Sequence, residues 1–245
     1  TIAAYWSRRY TPNSTVISIA GNLPDDIVEQ VSARFGEWSG AQIDHVLTKP
    51  LISSRVRVRT KDTEQAHLVF GSESFQRDDE RRYALMIAAH VLGGGMSSRL
   101  FHEIRETRGL AYSVHSFRMP FADAGASGIY VGTTPNQTAE VLGLVRSEIT
   151  RLINDGLTDE ELTRAKGYIK GALALGLEDA LSRMNRIGQT ELTGMEHLTV
   201  DETVEVISKV THDEVLEAVK AAYSGPYVLG AVGPFSAEDL EEFVQ

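Results

Sequence analysis

Two stretches of the chain, one near each end, follow the same pattern. The first begins at Tyr10 and reads YTPNSTVISIAGNLPDDIVEQVSARF; the second begins at Tyr223 and reads YSGPYVLGAVGPFSAEDLEEFV. Each predicts a helix ending in tyrosine, a short turn, a strand, a glycine and an acidic helix start. The two glycines, Gly21 and Gly233, lie 212 positions apart, which indicates a repeating unit of about 210 residues. Chance similarity between two strand–turn–helix units is the alternative.

A genuine repeat would mean that the chain contains one whole unit and the tail of another. We therefore expect residues 1–38 to be the tail of a first half, residues 39–55 to be a linker and residues 56–245 to form a second half. The linker segment has no firm periodicity and contains a proline, as connecting segments often do. Most of the first half would then lie outside this chain.

Local apolar patterns predict both strands and helices. Alternating and β-branched runs predict strands at residues 15–20, 55–59, 66–75, 110–119, 128–133 and 227–232. Helical periodicity predicts helices at residues 24–38, 78–92, 98–107, 137–155, 159–178, 181–192, 200–206 and 212–223. Strands are concentrated early and helices late, without strict alternation. This order favours an α+β fold, with a mostly antiparallel sheet and helices packed on one face.

The strand predicted at residues 15–20 would belong to a sheet of the first half. Without that sheet it would present an open edge and an unmatched apolar face. We therefore expect it to dock on another copy of the chain or to be poorly ordered.

Composition argues against several classes of function. The net charge of -10 argues against a nucleic-acid partner, because phosphate binding needs clustered Lys and Arg. No apolar run approaches the roughly 18 residues of a membrane span, so we expect no membrane partner. The absence of cysteine excludes disulfides, thiolate metal sites and cysteine nucleophiles. It is typical of a reducing compartment, and we expect a cytoplasmic location.

The central stretch GGGMSSRLFHEIRETRGLAYSV opens with Gly93, Gly94 and Gly95. A phosphate-binding loop would carry Lys followed by Ser or Thr after its glycines, and this stretch does not. The simpler interpretation is that the three glycines end one helix in conformations that glycine adopts at little cost. They would then turn the chain into the next helix.

Arg105 and Tyr112 lie seven residues apart, near a predicted helix end and early in a predicted strand. A guanidinium and a phenol that converge can bind a peptide carbonyl, or the oxyanion formed when water attacks it. The alternative is an exposed arginine paired with Glu103 or Glu106, beside a partly buried tyrosine. The spacing alone leaves both interpretations open.

Other catalytic patterns are absent from the sequence. The seven histidines never form H-x-x-x-H or H-x-x-E-H, so there is no recognisable zinc motif. No G-x-S-x-G elbow places a serine nucleophile.

The segment SSRLFHEIRETRGLAYSV resembles the second-half signature of the pitrilysin/insulinase family of zinc metallopeptidases. That signature reads small–R–L–[FY], then R-[EN]-x-x-G-L-[AS]-Y. In addition, AGNLPDDIVEQVSARFGEW is similar to the end of the family's first half, and GLTDEELTRAKGYIKGAL is similar to its long helix. The resemblance covers essentially the whole chain and points to small bacterial members similar to mitochondrial processing peptidase.

This resemblance implies two homologous halves that close like a clamshell around peptides, in agreement with the repeat. In active members the first half carries H-x-x-E-H and a downstream Glu; its two histidines hold zinc while the intervening Glu deprotonates the bound water. The second-half counterpart runs from Met86 to His90, with Met86 and Ala89 replacing the first His and the Glu. We expect no metal site in this chain, zinc in the parent protein, and a packed or capping His90.

The resemblance also implies roles for named residues. Arg105 and Tyr112 would reach across the closed clamshell to the substrate beside the zinc, with Tyr112 donating to the oxyanion and Arg105 orienting a substrate carbonyl. Gly93, Gly94 and Gly95 fall where some members carry a longer glycine-rich loop involved in substrate recognition. They are therefore substrate-binding candidates, although the loop is short in this chain.

Together these features predict the C-terminal, substrate-binding half of a zinc-dependent metalloendopeptidase, inactive on its own. Its partners would be a peptide substrate and the missing first half, and it would act as a homodimer or with a paired subunit. The main alternative is a non-catalytic partner subunit of a heteromeric processing peptidase, although such a subunit has no need of an oxyanion donor. A nucleotide-binding α/β module, suggested by the glycine triplet, is a third alternative.

Overall fold

A computed structural model describes residues 1–40, 50 and 55–245. These residues group into two compact units, one formed by residues 1–40 and 170–203 and the other by the remainder. Residues 170–203 thus group with the start of the chain and not with the rest of the predicted second half. Most of the predicted linker lies outside the described residues. The assignment of segments to a first and a second half stays a prediction. The halves are defined by homology, and the grouping of residues into compact units does not test homology.

The larger unit is built on a five-stranded sheet. Its strands are β1 (Val56–Thr60), β2 (Ala66–Ser74), β3 (Ala111–Pro120), β4 (Gly125–Thr133) and β5 (Tyr227–Gly233). They lie in the order β1-β5-β2-β4-β3, with β1 parallel to β5 and every other neighbouring pair antiparallel. The predicted mostly antiparallel sheet is confirmed.

Helices of this unit pack on one face of the sheet. They are α3 (Arg82–Gly93), a π-helix (Phe101–Thr107), α4 (Thr138–Asp155) and α8 (His212–Tyr223), while α5 (Asp159–Gly176) and α7 (Val200–Lys209) belong partly to each unit. Contacts of α3, α4 and α8 with β2, β3 and β4 enclose the core. The predicted α+β fold is confirmed. Among the described residues, no helix combines the length and apolar character that a membrane crossing requires.

The two faces of the sheet differ because side chains alternate along each strand. On β2, Leu68 and Phe70 are fully buried against the helices, whereas His67 and Val69 are exposed on the opposite face. A similar alternation on β1 and β5 gives this part of the sheet one packed face and one open face, whereas β4 is largely buried on both faces.

Capping boxes begin two helices, α5 and α8. At the start of α5, the Thr158 amide donates to the Glu161 carboxylate, and the Glu161 amide donates to the Thr158 hydroxyl. Thr211 and Glu214 form the same reciprocal arrangement at the start of α8. Each box pairs two of the amides that a helix start leaves without intrahelical partners.

The smaller unit contains α1 (Ile2–Arg9), α2 (Ile27–Phe35) and α6 (Ala180–Leu192). The strand predicted at residues 15–20 is wrong: these residues form no strand. Alternation of apolar residues specifies a strand only where another strand can pair with it, and the described residues of this unit contain none. Instead, the Ser18 hydroxyl donates to the Met184 carbonyl on α6 at 2.7 Å.

Candidate functional site

Arg105 lies on the π-helix that connects α3 to β3. The wider turn of a π-helix displaces side chains from their α-helical positions and often marks a functional site. The Arg105 guanidinium carbon lies 4.9 Å from the centroid of the Phe101 ring, one turn earlier. Gly109 ends the helix with φ +64°, a conformation that favours glycine. The chain then enters β3 two residues later.

Tyr112 is the extra residue of a β-bulge at the start of β3. Ala111 pairs with Thr133 and Ser113 pairs with Gly132, so the register leaves Tyr112 without a partner on β4. A bulge of this kind bends the strand and redirects the side chain of the extra residue. Tyr112 is 78% exposed, so it is available to a molecule arriving from solvent.

The π-helix and the bulge bring Arg105 and Tyr112 together. The Arg105 guanidinium carbon lies 5.6 Å from the centroid of the Tyr112 ring, within the range of a cation–π contact. The alternative interpretation, an ion pair between Arg105 and Glu103 or Glu106, is not observed. Glu103 accepts instead from Arg108 at 2.9 Å, and Arg105 has no ion pair among the described residues. The pair therefore presents an exposed phenol and an exposed guanidinium side by side.

The three glycines lie at the end of α3 in different surroundings. Gly93 is buried, and a Cβ placed on it would lie 2.6 Å from the Ser116 amide nitrogen on β3. Gly94 packs against His90, whereas a Cβ on exposed Gly95 would come no closer than 3.9 Å to the His90 ring. Close helix–strand packing thus accounts for Gly93. Substrate binding by Gly93, Gly94 and Gly95 stays a prediction.

We expect Gly93→Ala to lower the free energy of unfolding by about 1–3 kcal/mol, because the added methyl would push α3 away from the β3 backbone. Gly95→Ala is the matched control and should change it by less than about 0.5 kcal/mol. Urea unfolding followed by circular dichroism measures both values. Equal effects of the two substitutions would contradict this account of the triplet.

His90, the residue at the counterpart of the metal motif, is packed. Its ring stacks on Tyr168 with centroids 4.3 Å apart and an interplanar angle of 19°. Burial, with a smaller contribution from the Arg164 charge, lowers the pKa of His90. Among the described residues, no group of three or more His, Cys, Asp or Glu side chains is placed to hold a metal ion. The described residues therefore do not fit a zinc site.

Comparison with known proteins gives the family. A profile described as the peptidase M16 inactive domain matches residues 1–168. The chain belongs to the peptidase M16 family. The resemblance to a metallopeptidase second half, drawn from the Arg105–Tyr112 segment and its surroundings, is thereby confirmed at the level of the family.

Relatives of this M16 domain are named as zinc proteases. An uncharacterized zinc protease of Streptomyces coelicolor is 41% identical over 244 residues, which cover 95% of this chain and 53% of that protein. One from Bacillus subtilis is 37% identical over 230 residues, covering 94% and 56%. A crystal structure of a peptidase M16 inactive domain from Pseudomonas fluorescens shares the fold, with a TM-score of 0.79 at 22% identity over 89% of this chain and 52% of that chain. The chain spans about half the length of the curated relatives it matches.

A buried ion pair supports the π-helix of the M16 domain. Arg99, just before the π-helix, donates from Nε and Nη2 to the two carboxylate oxygens of Glu161, both at 2.7 Å. Its Nη2 also donates to the Gly156 carbonyl at 2.8 Å. The two side chains are 8% and 13% exposed. Burial acts to raise the pKa of Glu161, but hydrogen bonds from Arg99 and Thr158 and the Arg99 charge hold it below its usual range.

Sequence reasoning missed this ion pair. The spacing Thr158-x-x-Glu161 is typical of a capping box, but the second partner of Glu161, Arg99, lies 62 residues earlier in the chain. The sequence signal that could have indicated the ion pair is the arginine of the family signature, Arg99. A guanidinium on a packed helix needs a carboxylate partner. Arg99 therefore couples the segment that presents Arg105 to the start of α5.

A second buried carboxylate lies next to this pair. Glu148 on α4 contacts Arg151 at 3.2 Å through one oxygen, while its other oxygen has no hydrogen-bond partner among the described residues. Burial raises the pKa of Glu148, and the nearby charges of Arg151 and Arg99 oppose that shift. Glu148 and Glu161 thus differ in pKa because only Glu161 has a bidentate cation. Among the described residues, neither carboxylate forms a hydrogen bond or an ion pair with Arg105 or Tyr112.

Proposed function

We propose that this M16 domain is the substrate-binding half of a zinc-dependent metalloendopeptidase. One observation carries the proposal: Arg105 and Tyr112 are both exposed, and the Arg105 guanidinium carbon lies 5.6 Å from the Tyr112 ring. The names of the zinc protease relatives, and the half of their length that this chain spans, support it.

The proposed chemistry of the pair follows from its functional groups. When water adds to a peptide carbonyl, negative charge develops on the carbonyl oxygen, and a positioned O–H donor stabilises that charge. The Tyr112 phenol is such a donor. The Arg105 guanidinium has five N–H donors in a planar fork and no hydrogen-bond acceptor, so it can donate to a neighbouring carbonyl of the substrate. The π-helix and the bulge hold the two donors in place.

The metal would belong to the first half, because the described residues of this chain supply no ligand cluster. The proposed partners are accordingly a peptide and a first half that bears the zinc. Pairing of two copies, or pairing with a different subunit, is part of the same proposal. The two halves would have to close for the Arg105–Tyr112 pair to meet the reacting carbonyl.

We expect the 245-residue chain alone to hydrolyse no unstructured peptide, with or without added zinc. The physical reason is that the oxyanion donor would be present while the group that activates water would not. The measurement is turnover of quenched fluorescent peptides by pure protein, with a chelator as the control. Turnover that the chelator abolishes would refute the proposal.

The coding sequence upstream of Thr1 separates the proposal from its alternative. An H-x-x-E-H motif there supports a peptidase, because that spacing places two histidines and the general base on one helix face. A first half without the motif would support the non-catalytic partner subunit instead.

A further inference from the structure

The open face of the sheet contains a shallow trough along β5. Its floor is formed by Gly230 and Val232 on β5, and β1 and β2 form its two sides. We define this β5 trough by six residues: Arg57, Arg59, Gly230, Val232, His67 and Val69. In the sheet register, Gly230 lies between Arg57 on β1 and Val69 on β2. Val232 lies between Arg59 on β1 and His67 on β2.

The floor of the β5 trough is low at its centre. A Cβ placed on Gly230 would meet no atom within 4 Å, so the space above this residue is open. The sides are two strand spacings apart, about 10 Å, because neighbouring strands lie about 4.8 Å apart. Val69 and His67 on one side are exposed, as are Arg57 and Arg59 on the other. An extended peptide fits a groove of that width.

Two unpaired cations form the β1 side of the trough. Beyond the backbone pairing of β1 with β5, neither the Arg57 nor the Arg59 side chain has an ion pair or hydrogen bond with another described residue. They occupy positions i and i+2 of one strand, so their side chains emerge on the same face, about 7 Å apart. Glu73 is an acidic residue of the same face, six positions along β2 from His67. In a chain of net charge -10, this side of the sheet is locally basic.

We propose that the β5 trough binds an extended peptide segment with acidic residues at alternating positions, Glu-x-Glu or Asp-x-Asp, whose carboxylates pair with Arg57 and Arg59. An extended peptide also repeats its side chains every second residue, about 7 Å apart, so two carboxylates match two guanidinium groups. Arginine binds carboxylates through two parallel hydrogen bonds, which adds geometric selectivity to the charge. This inference rests on the proposed function and names the class of substrate.

The sheet register relates the trough to Tyr112. A row of paired residues across the sheet runs from Arg59 through Val232, His67 and Gly132 to Ser113, the residue after Tyr112. Four strand spacings make this row about 19 Å long. Because an extended residue spans at most about 3.5 Å, at least about six residues must separate the acidic pair from the carbonyl at Tyr112.

The test uses the 245-residue chain and three fluorescein-labelled 12-residue peptides. One carries two glutamates at alternating positions, the second has the same composition with the glutamates adjacent, and the third has glutamine in their place. Fluorescence anisotropy at low ionic strength should give a Kd about fivefold to tenfold lower for the alternating peptide than for the glutamine peptide. The adjacent isomer should fall between them.

Variants assign the effect to the two arginines. Arg57→Ala/Arg59→Ala should abolish the preference for the alternating peptide, whereas Arg8→Ala/Lys220→Ala removes the same charge elsewhere and should preserve it. Arg57→Lys/Arg59→Lys keeps the charge and the strand, and should retain only part of the preference because lysine lacks the planar fork. The lysine pair keeps the test valid should the alanine pair fail to fold.

Equal affinity for the three peptides would overturn this inference while leaving the proposed function in place, because peptide would still bind. Equal loss of preference in the Arg8→Ala/Lys220→Ala control would also overturn it, since the attraction would then be general. Failure to bind any of the peptides would overturn both.

Discussion

Replacing Tyr112 by phenylalanine is expected to lower kcat of the assembled peptidase by about 100-fold to 1000-fold, with KM nearly unchanged. The substitution keeps the ring and therefore the contact with Arg105, 5.6 Å from the ring centroid, and removes only the hydroxyl. That hydroxyl would act on charge that develops in the transition state and not on the bound peptide. Its loss should therefore appear in kcat. Steady-state kinetics on a quenched fluorescent peptide measures both constants.

A matched control for Tyr112→Phe is Tyr168→Phe. Tyr168 is in the same unit and is also exposed, at 58%, but it stacks on His90 and has no proposed contact with substrate. Its variant should retain kcat. A Tyr112→Phe enzyme with unchanged kcat, or one that differs only in KM, would show that the phenol does not act on the oxyanion.

The sheet of the larger unit could be predicted from the sequence because its strands carry their own evidence. Alternation on β2 places Leu68 and Phe70 inside, and the predicted strand matches the observed one to within a residue. The same reasoning was wrong at residues 15–20, where the alternation is present but a pairing strand is not. Periodicity reports which face a residue can bury, and the presence of a neighbour decides whether a strand forms.

The candidate site was predictable only in part. The family signature pointed to Arg105 and Tyr112, but the geometry that joins them depends on two local irregularities. One is the π-helix at Phe101–Thr107, and the other is the bulge that leaves Tyr112 unpaired. Neither has a distinct residue pattern, because both arise from how the chain is forced to pass between α3 and β4. Spacing alone therefore could not distinguish a converging pair from two unrelated side chains.

Replacing Arg99 by alanine is expected to lower the free energy of unfolding by about 3–5 kcal/mol at neutral pH, because it leaves a buried carboxylate without its cation. Glu161 would lose both 2.7 Å hydrogen bonds, and the Gly156 carbonyl would lose its donor. Arg164→Ala, on the helix α5 that carries Glu161, is the control. Its pair with Glu160 is exposed, at 43% and 85%, and should contribute less than about 1 kcal/mol. Urea unfolding followed by circular dichroism compares the two.

The pH dependence of the same variants gives an independent test of the cause. In the wild-type protein the pKa of Glu161 is held below its usual range, so its contribution to stability is present at neutral pH and is lost as the pH falls through that lowered pKa. In Arg99→Ala, Glu161 remains buried but has lost its cation, so its pKa should be higher than in the wild-type protein. The free energy of unfolding of the variant should therefore fall less than that of the wild type when the pH is lowered. The difference in the free energy of unfolding between the wild-type protein and Arg99→Ala should therefore decrease as the pH falls below the usual range of carboxyl pKa values. A difference that stays constant across that range would mean that Arg99 stabilises the fold by packing and not through the Glu161 charge.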